Sequence, residues 1–106
     1  MTDPQIAWAA GLFEGEGCIT WKTRRGKLYP YVYMSMTDKD VMEKFANLFG
    51  LTLRIRTRGE AHWKDQWRFE TGAKHKVREL LSAMLPFFGE RRAYKALNTL
   101  DLLDKI

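Results

Sequence analysis

The sequence is poor in features that define several common protein classes. It has one cysteine, Cys18, and two histidines, His62 and His75, which excludes an internal disulfide and a cysteine-based zinc finger and favours a reducing compartment. It has no basic N-terminal segment followed by an apolar stretch, and no apolar run approaches the ~20 residues that span a bilayer. We therefore expect a soluble intracellular protein that is not secreted and has no membrane partner.

Size and charge narrow the remaining possibilities. A chain of 106 residues without low-complexity tracts or internal repeats is expected to form a single domain, 1–106, that can bury a core. Its 18 lysines and arginines exceed its 13 acidic residues, which gives a formal charge of +5 and a pI near 9.5. This balance favours an anionic partner, although charge alone is weak support for one.

The most informative segment is residues 9–17, AAGLFEGEG. Gly11 and Gly15 are four residues apart, so on a helix they share one face and allow a second backbone to approach closely. Each glycine costs a helix roughly 1 kcal/mol relative to alanine, which indicates a packing reason for both. The alternative is an ordinary core helix that ends at a glycine cap, Gly17, and carries two solvated acids.

Two carboxylates lie at the end of this helix. Glu14 and Glu16 fall at its C-terminus, where the macrodipole disfavours negative charge. A strongly alternating segment follows Gly17, so Glu16 lies at a helix-to-strand corner beside an unpaired helix carbonyl, which we assign to Gly15. A carboxylate with carbonyl oxygens is the partial shell that Mg²⁺ or Ca²⁺ accepts, so the corner is a candidate cation site.

Hydrophobic periodicity and turn residues predict the element order α-β-β-α-β-β-α-α. Helices are expected at 4–15 with Asp3 as N-cap, at 39–49 with Asp38 as a cap, between Gly72 and Pro86, and at 90–106 with a stripe of Ala93, Ala96, Leu97, Leu100 and Leu103. Strands are expected at 18–25, 28–37, 51–58 and 62–71, with turns at 25–27 and 59–60. Pro30 leaves one ladder position without a donor, which suits an edge or a bulge.

Four strands joined by hairpins predict an antiparallel sheet with one face covered by helices and the other open. The open face is expected to carry cations and no acid, the acids lying on the helices; its residues are Thr20, Lys22, Arg24, Tyr29, Tyr31, Tyr33, Ser35, Arg54, Arg56, Arg58, Lys64, Gln66 and Arg68. The other strand face, with Leu53 and Ile55, is expected in the core. Such residues also suit an exposed sheet that binds nothing. However, like charges opposite one another destabilise a sheet unless a bound anion neutralises them. Arginine is the commonest reader of guanine, and a β-ribbon fits the major groove, so duplex DNA is the expected partner.

Together these features resemble the single-motif LAGLIDADG homing endonucleases. Residues 9–17 are similar to the nine-residue signature of that family, with Ala9 at its first leucine and Glu14 and Glu16 at its two aspartates. The resemblance covers nearly the whole chain and includes the segment LPFF at 85–88. It implies an α+β fold with an αββαββα core, a four-stranded antiparallel saddle-like sheet, helices on one face and an open DNA-binding face.

The resemblance also implies an assembly and a metal. One motif per chain implies a homodimer that packs through Trp8, Gly11, Leu12 and Gly15 and binds a long pseudo-palindromic site. It implies that Glu16 of each chain binds Mg²⁺, or Mn²⁺ in its place, with help from the Gly15 carbonyl, while Glu14 braces the turn.

Further catalytic positions follow from the same resemblance. Asp38 lies where family members place a polar residue that orders water, and it can cap the second helix as well. Arg91 or Arg92 lies where the family often has a lysine facing the scissile phosphate; the sequence leaves the choice open, with Arg91 preferred.

The implied function is a site-specific, metal-dependent double-stranded DNA endonuclease of a mobile genetic element, which hydrolyses phosphodiesters. One alternative is a protein with the same fold that does not cleave DNA, either a DNA-binding regulator or an RNA-splicing maturase. Another is an interaction module whose basic sheet contacts an acidic protein. The recognised bases are not deducible from the sequence.

Overall fold

The structure, a computed structural model, describes residues 1–57 and 64–106. The elements are α1 (Asp3–Glu16), β1 (Gly17–Arg24), β2 (Lys27–Met36), α2 (Lys39–Phe49), β3 (Arg54–Arg56), β4 (Gln66–Thr71), α3 (Lys74–Met84), a 3₁₀ turn (Leu85–Phe87) and α4 (Glu90–Leu103). The predicted order of helices and strands is confirmed. The predicted turn at 59–60, together with Arg58, His62 and Trp63, lies outside the described residues.

The strands form one antiparallel sheet in the order β1-β2-β4-β3. Their register fixes which side chains share a face, because directly opposed residues in an antiparallel pair point to the same side. Pro30 lies opposite Trp21 of β1, and pairing of β2 with β4 begins only at Val32. Although β2 is a central strand, Pro30 therefore lies in a part of it that has a single partner, as its missing N–H requires.

The turn between β1 and β2 is a two-residue hairpin connection. Arg25 and Gly26 both have positive φ, 52° and 77°, the combination that matches the twist of the flanking strands. Glycine adopts this conformation without a steric penalty, whereas at Arg25 the tight turn imposes a conformation that is uncommon for a residue with a side chain. The turn lies at the end of the hairpin opposite the corner between α1 and β1.

The second hairpin is shorter than the sequence predicted. Strand β3 has 3 residues rather than the 8 expected at 51–58, and β4 begins at Gln66 rather than at 62. The chain leaves α2 through Gly50, whose φ is 64°, and the Leu51 N–H donates to the Ala46 carbonyl at 2.9 Å. This helix-end motif uses the first residues of the expected strand.

An aromatic stack holds the helices on the sheet. Phe13 of α1 and Phe69 of β4 lie on either side of Phe45 of α2, with ring centroids 6.4 and 5.3 Å from its own. All three rings are fully buried, and rings at these separations add to the free energy of apolar burial. The Phe88 ring, after the 3₁₀ turn, has its centroid 5.9 Å from that of Phe13. Helix α1 therefore packs against aromatic rings from α2 and from the segment before α4.

Three details of the predicted packing are wrong. The N-cap of α1 is Thr2 rather than Asp3, because Thr2 and Gln5 form a reciprocal capping box. Ile55 is 52% exposed, since β3 lies at the sheet edge and the main helix contacts are with β1, β2 and β4. On α4, Leu97 is 54% exposed and Thr99 is buried in its place. The Thr99 hydroxyl accepts a hydrogen bond from Trp21 and donates one to the Lys95 carbonyl.

In the described ranges, no helix is long and apolar enough to cross a membrane.

Candidate functional site

The corner between α1 and β1 is set by a close approach of backbone to ring. Gly17 has extended backbone angles, φ −88° and ψ 164°, so a left-handed conformation does not explain its identity. A Cβ at this position would overlap the ring of Phe13. Only glycine lets the chain turn from helix to strand directly above that buried ring, which is the physical reason for the last glycine of the motif.

Glu14 ties this corner to the start of α4. Its Oε1 accepts a hydrogen bond from the Gly89 N–H, and its Oε2 accepts one from Arg92 Nε at 3.1 Å. Gly89 is the N-cap of α4, where an N–H group has no partner within the helix and a carboxylate is favoured by the macrodipole. The first acid of the motif is thus used in holding α1 against α4.

Arg92 closes the same corner from the other side. Its Nη2 donates to the Glu14 carbonyl at 2.9 Å and its Nη1 to the Gly17 carbonyl at 3.1 Å, while its guanidinium lies 5.3 Å from the Phe13 ring centroid. A cation at a helix C-terminus is favourable for the macrodipole and satisfies carbonyls that have no partner within the helix. The Nε, Nη1 and Nη2 atoms of Arg92 each donate a hydrogen bond at this corner.

Glu16 differs from Glu14 in its exposure and in its lack of an ion pair in the described ranges. It is the last residue of α1 and is exposed, and none of the ion pairs in the described ranges involves it. Gly11 and Gly15 are exposed as well, and a Cβ added to either would meet nothing within 4 Å in this chain. The motif helix therefore presents a glycine face and a carboxylate outward.

Asp38 lies at the same end of the sheet. Gly17, which follows Glu16, is paired with Met34 of β2. Strand β2 ends two residues later at Met36, and Asp38 follows directly after Thr37. Asp38 is at the N-cap position of α2, where its carbonyl accepts the Met42 N–H at 3.1 Å. Its side chain makes no capping hydrogen bond and is exposed, which leaves the carboxylate available for another partner.

An open depression borders the corner and is lined by three cationic and two acidic side chains. Its walls are Glu14, Ile19, Gly89, Glu90, Arg91, Arg92 and Lys95. Arg91 is exposed, whereas Lys95 is half-buried with its Nζ 4.3 Å from the centroid of the Trp21 ring. The sequence reasoning did not select Lys95, although its spacing of four from Arg91 on a helix places both on one face.

Within 1–57 and 64–106 no group of three or more histidine, cysteine, aspartate or glutamate side chains is placed to hold a metal ion. The described part of one chain thus supplies Glu16 with backbone oxygen at the corner, and Asp38 further along the same end of the sheet. These are hard oxygen donors, the type that Mg²⁺ accepts, but a complete shell needs more of them.

The open sheet face carries most of the residues that were predicted for it. The pairing places together Thr20, Lys22 and Arg24 of β1, Tyr29, Tyr31, Tyr33 and Ser35 of β2, Arg54 and Arg56 of β3, and Gln66 and Arg68 of β4. Lys64 is exposed but precedes β4, and Arg58 lies outside the described residues. Cys18 also belongs to this face, because it is paired with Tyr33.

The expectation that the open face has no acid is wrong. Glu70 is paired with Tyr33 across β2 and β4, and it follows Arg68 by two positions on the same strand. Strand side chains alternate with a period of two, so the same alternation that selected Arg68 also places Glu70 on this face. The strand pattern therefore indicates Glu70 on the open face as directly as it indicates Arg68.

Cations of the open face lie over tyrosine rings. Lys22 Nζ is 3.7 Å from the centroid of the Tyr31 ring, and Arg68 Cζ is 4.4 Å from that of Tyr33. Arg54 is directly opposite Arg68, an arrangement of like charges that destabilises a sheet. The face is therefore positively charged, with planar groups whose positions are partly fixed.

Glu70 is held ionised by its neighbours. Hydrogen bonding from Tyr31 is the largest cause that lowers the pKa of Glu70, followed by Arg68 and, at longer range, Arg54. Burial and the Glu70 charge raise the pKa of Tyr31, and the neighbouring Cys18 side chain and burial raise that of Tyr33. Each shift favours a carboxylate and neutral phenols at neutral pH.

Comparisons with known proteins identify the family and the fold. The model of the LAGLIDADG-like domain matches residues 3–85. No curated protein sequence matches the chain.

Solved structures share the fold along nearly the whole chain. The homing endonuclease I-CvuI, crystallised with its target in the presence of 2 mM Ca, gives a TM-score of 0.74 at 17% identity over 96% of this chain and 67% of its own. The group I intron-encoded homing endonuclease I-CeuI, complexed with DNA, gives 0.72 at 17% identity over 97% of this chain and 55% of its own. The LAGLIDADG homing endonuclease I-SmaMI, bound to cleaved DNA, gives 0.71 at 12% identity over 98% of this chain and 36% of its own. These matches confirm the α+β fold class that the sequence predicts.

Proposed function

This chain belongs to the LAGLIDADG-like domain family, and on that premise we propose that it is a site-specific double-stranded DNA endonuclease that acts as a homodimer. Two regions support the proposal: the open sheet face for binding, and the corner at the end of α1 for cleavage. The relatives with this fold include complexes with DNA, and the chain spans about two thirds of I-CvuI and about half of I-CeuI.

The observation that carries DNA binding is the excess of cations on the open face, where the described strands place one acid, Glu70, against Lys22, Arg24, Arg54, Arg56 and Arg68. Glu70 offsets part of the repulsion between the opposed Arg54 and Arg68, and a polyanion that lies across the sheet compensates the remaining positive charge. Strand β2 has 10 residues, which at ~3.3 Å each span roughly 33 Å, close to one turn of duplex. A saddle of this length fits the half-site of a longer target.

The glycine face of α1 supports the homodimer. Gly11 and Gly15 are exposed, and half-buried Trp8 and Leu12 lie on the same helix. Glycines four apart allow two helix backbones to pack at short distance, and two-fold packing of this helix brings the Glu16 residues of both chains to the dyad. A two-fold protein reads a pseudo-palindromic site.

The residues at the corner fit a divalent cation. Glu16 has no ion-pair partner within the described ranges, unlike Glu14, and two such carboxylates at a dyad repel each other unless cations neutralise them. Glu16 and the Gly15 carbonyl of each chain would hold the ion. Bound Mg²⁺, or Mn²⁺ in its place, supplies Lewis-acid stabilisation of the phosphodiester and lowers the pKa of a water.

The other polar groups at this end of the sheet act on the phosphate and the water. Arg91 is exposed in the depression beside the corner, and Lys95 lies on the same helix face. Either can stabilise negative charge that develops on the scissile phosphate, whereas Arg92 is committed to holding α1. The free carboxylate of Asp38 orders water near the scissile bond.

The test uses duplexes selected from a randomised library by the full-length protein. We expect the wild type to bind a pseudo-palindromic site and to cut it when Mg²⁺ is added. The variant Glu16→Gln keeps the shape and removes the charge, so it should bind the same site with similar affinity and lose cleavage. Glu43→Gln, an exposed acid on α2, is the matched control and should cut normally.

Other outcomes identify the alternatives. A wild type that binds the selected site tightly but never cuts it is a regulator rather than a nuclease. A basic sheet that serves an acidic protein would give no selected duplex, because its binding to DNA would rest on phosphate contacts alone and would show no preference for any sequence.

A further inference from the structure

One arginine of the open face is held in place from two directions. The Arg68 Nε donates to Glu70 Oε2 at 3.1 Å, and the guanidinium lies over the Tyr33 ring with Cζ 4.4 Å from the centroid. The hydrogen bond and the ring contact together restrict the positions that the guanidinium can take. The Arg68 side chain is 25% exposed, so only part of it reaches solvent.

This arrangement leaves a particular part of Arg68 for a ligand. Among the hydrogen bonds of the described ranges, Arg68 uses Nε, and none uses its two terminal nitrogens. Those two nitrogens form the planar fork that pairs with two neighbouring acceptors. In the major groove, the neighbouring acceptors of a single base edge are the O6 and N7 of guanine.

Glu70 is itself placed by its surroundings. Its Oε2 accepts from Arg68 Nε, and the neighbouring Tyr31 and Arg68 side chains lower its pKa, so the carboxylate is ionised. The Glu70 side chain is 32% exposed. A carboxylate that is already bonded to Arg68 is better suited to aim that side chain than to accept directly from a base.

We propose that Arg68 reads one guanine in each half-site through its terminal nitrogens and that Glu70 is the positioning residue that aims it. This inference rests on the proposed function, because it requires the open face to bind duplex DNA. An arginine that is already restricted by two contacts in the free protein loses less conformational freedom on binding. Arg54, which is opposite Arg68, forms no ion pair within the described ranges. Its charge contributes to binding of the DNA phosphates.

The experiment measures base preference at every position of the selected duplex, in Ca²⁺ and with the full-length protein. The variants are Arg68→Lys, Glu70→Ala, Glu70→Gln and the double variant Arg68→Lys with Glu70→Ala. Lysine keeps the charge and removes the fork, so we expect the preference for one G·C pair in each half-site to fall roughly 5- to 150-fold, the range of a bidentate arginine contact.

The Glu70 variants separate positioning from direct reading. Glu70→Ala should reduce the preference at the same G·C pair and leave the other positions unchanged. Glu70→Gln still presents a carbonyl to Arg68 Nε and should restore most of that preference. Glu70→Ala added to Arg68→Lys should have no further effect, because its target is already gone. Glu43→Ala, which removes another acid that is paired with a cation, should leave base preference unchanged, and melting curves verify that each variant is folded.

Failure of this inference is distinct from failure of the proposed function. If the wild type selects no duplex, the DNA-binding proposal itself is wrong. If the wild type selects a site but Glu70→Ala leaves the Arg68-dependent pair unchanged, or changes a different pair, Glu70 does not aim Arg68. Additive effects of Glu70→Ala and Arg68→Lys at separate pairs would overturn the inference in favour of direct reading by Glu70.

Discussion

The two neighbouring arginines at the start of α4 should respond oppositely to substitution. Arg92 donates to three acceptors at the end of α1, the Glu14 carboxylate and the carbonyls of Glu14 and Gly17. Arg91 is exposed and forms no ion pair in the part of the chain that the structure describes. We expect Arg92→Ala to destabilise the fold and Arg91→Ala to leave it stable but impair cleavage.

The magnitude for Arg92 follows from these contacts. A hydrogen bond that involves a charged group contributes about 1.5–3 kcal/mol. Three from one side chain do not add, and the Arg92 and Glu14 side chains are 20% and 36% exposed, so solvent screens part of the attraction. We therefore expect a loss of about 2–4 kcal/mol. With an unfolding entropy near 2.1 cal/mol/K per residue over 106 residues, a loss of ~3 kcal/mol lowers Tm by about 13 °C.

The assay is thermal unfolding at one fixed protein concentration, because dimerisation couples stability to concentration. Arg91→Ala should melt within ~2 °C of the wild type, since surface substitutions usually change stability by less than ~0.5 kcal/mol. Its cleavage should fall roughly 100-fold, the loss expected when one group that stabilises developing charge is removed. Arg92→Lys keeps the charge without the fork and should lie between the wild type and Arg92→Ala. If Arg92→Ala melts with the wild type, or if Arg91→Ala is the less stable of the two, the assignment of roles is wrong.

Three further predictions follow from the same contacts. Gly17→Ala places a methyl group against the buried Phe13 ring, so the free energy of unfolding should fall by about 1–3 kcal/mol in denaturant titrations; an unchanged midpoint would mean that the ring yields freely. The pKa of Glu70 is lowered in the fold, so its ionised form stabilises the protein above the ordinary glutamate pKa, and this contribution is lost as pH falls through the lowered value. The difference in free energy of unfolding between the wild type and Glu70→Gln should therefore shrink in acid. A difference that stays constant with pH contradicts the lowered pKa. Gly11→Leu adds a bulky side chain to the exposed glycine face of α1, so sedimentation should show a monomer; a dimer of unchanged affinity would exclude this face as the interface.

Much of the fold was predictable because its signals are local. The helix α2 ends at Gly50, and the order of elements follows from periodicity and turn residues. The motif was also informative, since glycines at 11 and 15 and an acid at 16 have few roles in an ordinary helix. Single-sequence reasoning could therefore identify the helix that carries the candidate catalytic carboxylate.

The remaining features depend on contacts between distant segments. Glu14 and Arg92 are 78 positions apart, so no local pattern indicates that the arginine holds the helix end. The half-burial of Lys95 depends on the Trp21 ring of β1.

The measurement that tests the central claim most directly is cleavage of a randomised duplex library by the wild-type protein with Mg²⁺, followed by sequencing of the cut ends. The account predicts cuts at one pseudo-palindromic site, placed symmetrically about its centre, with Glu16→Gln leaving the same library intact. Uncut DNA with the wild type, or equal cutting by Glu16→Gln, would contradict it.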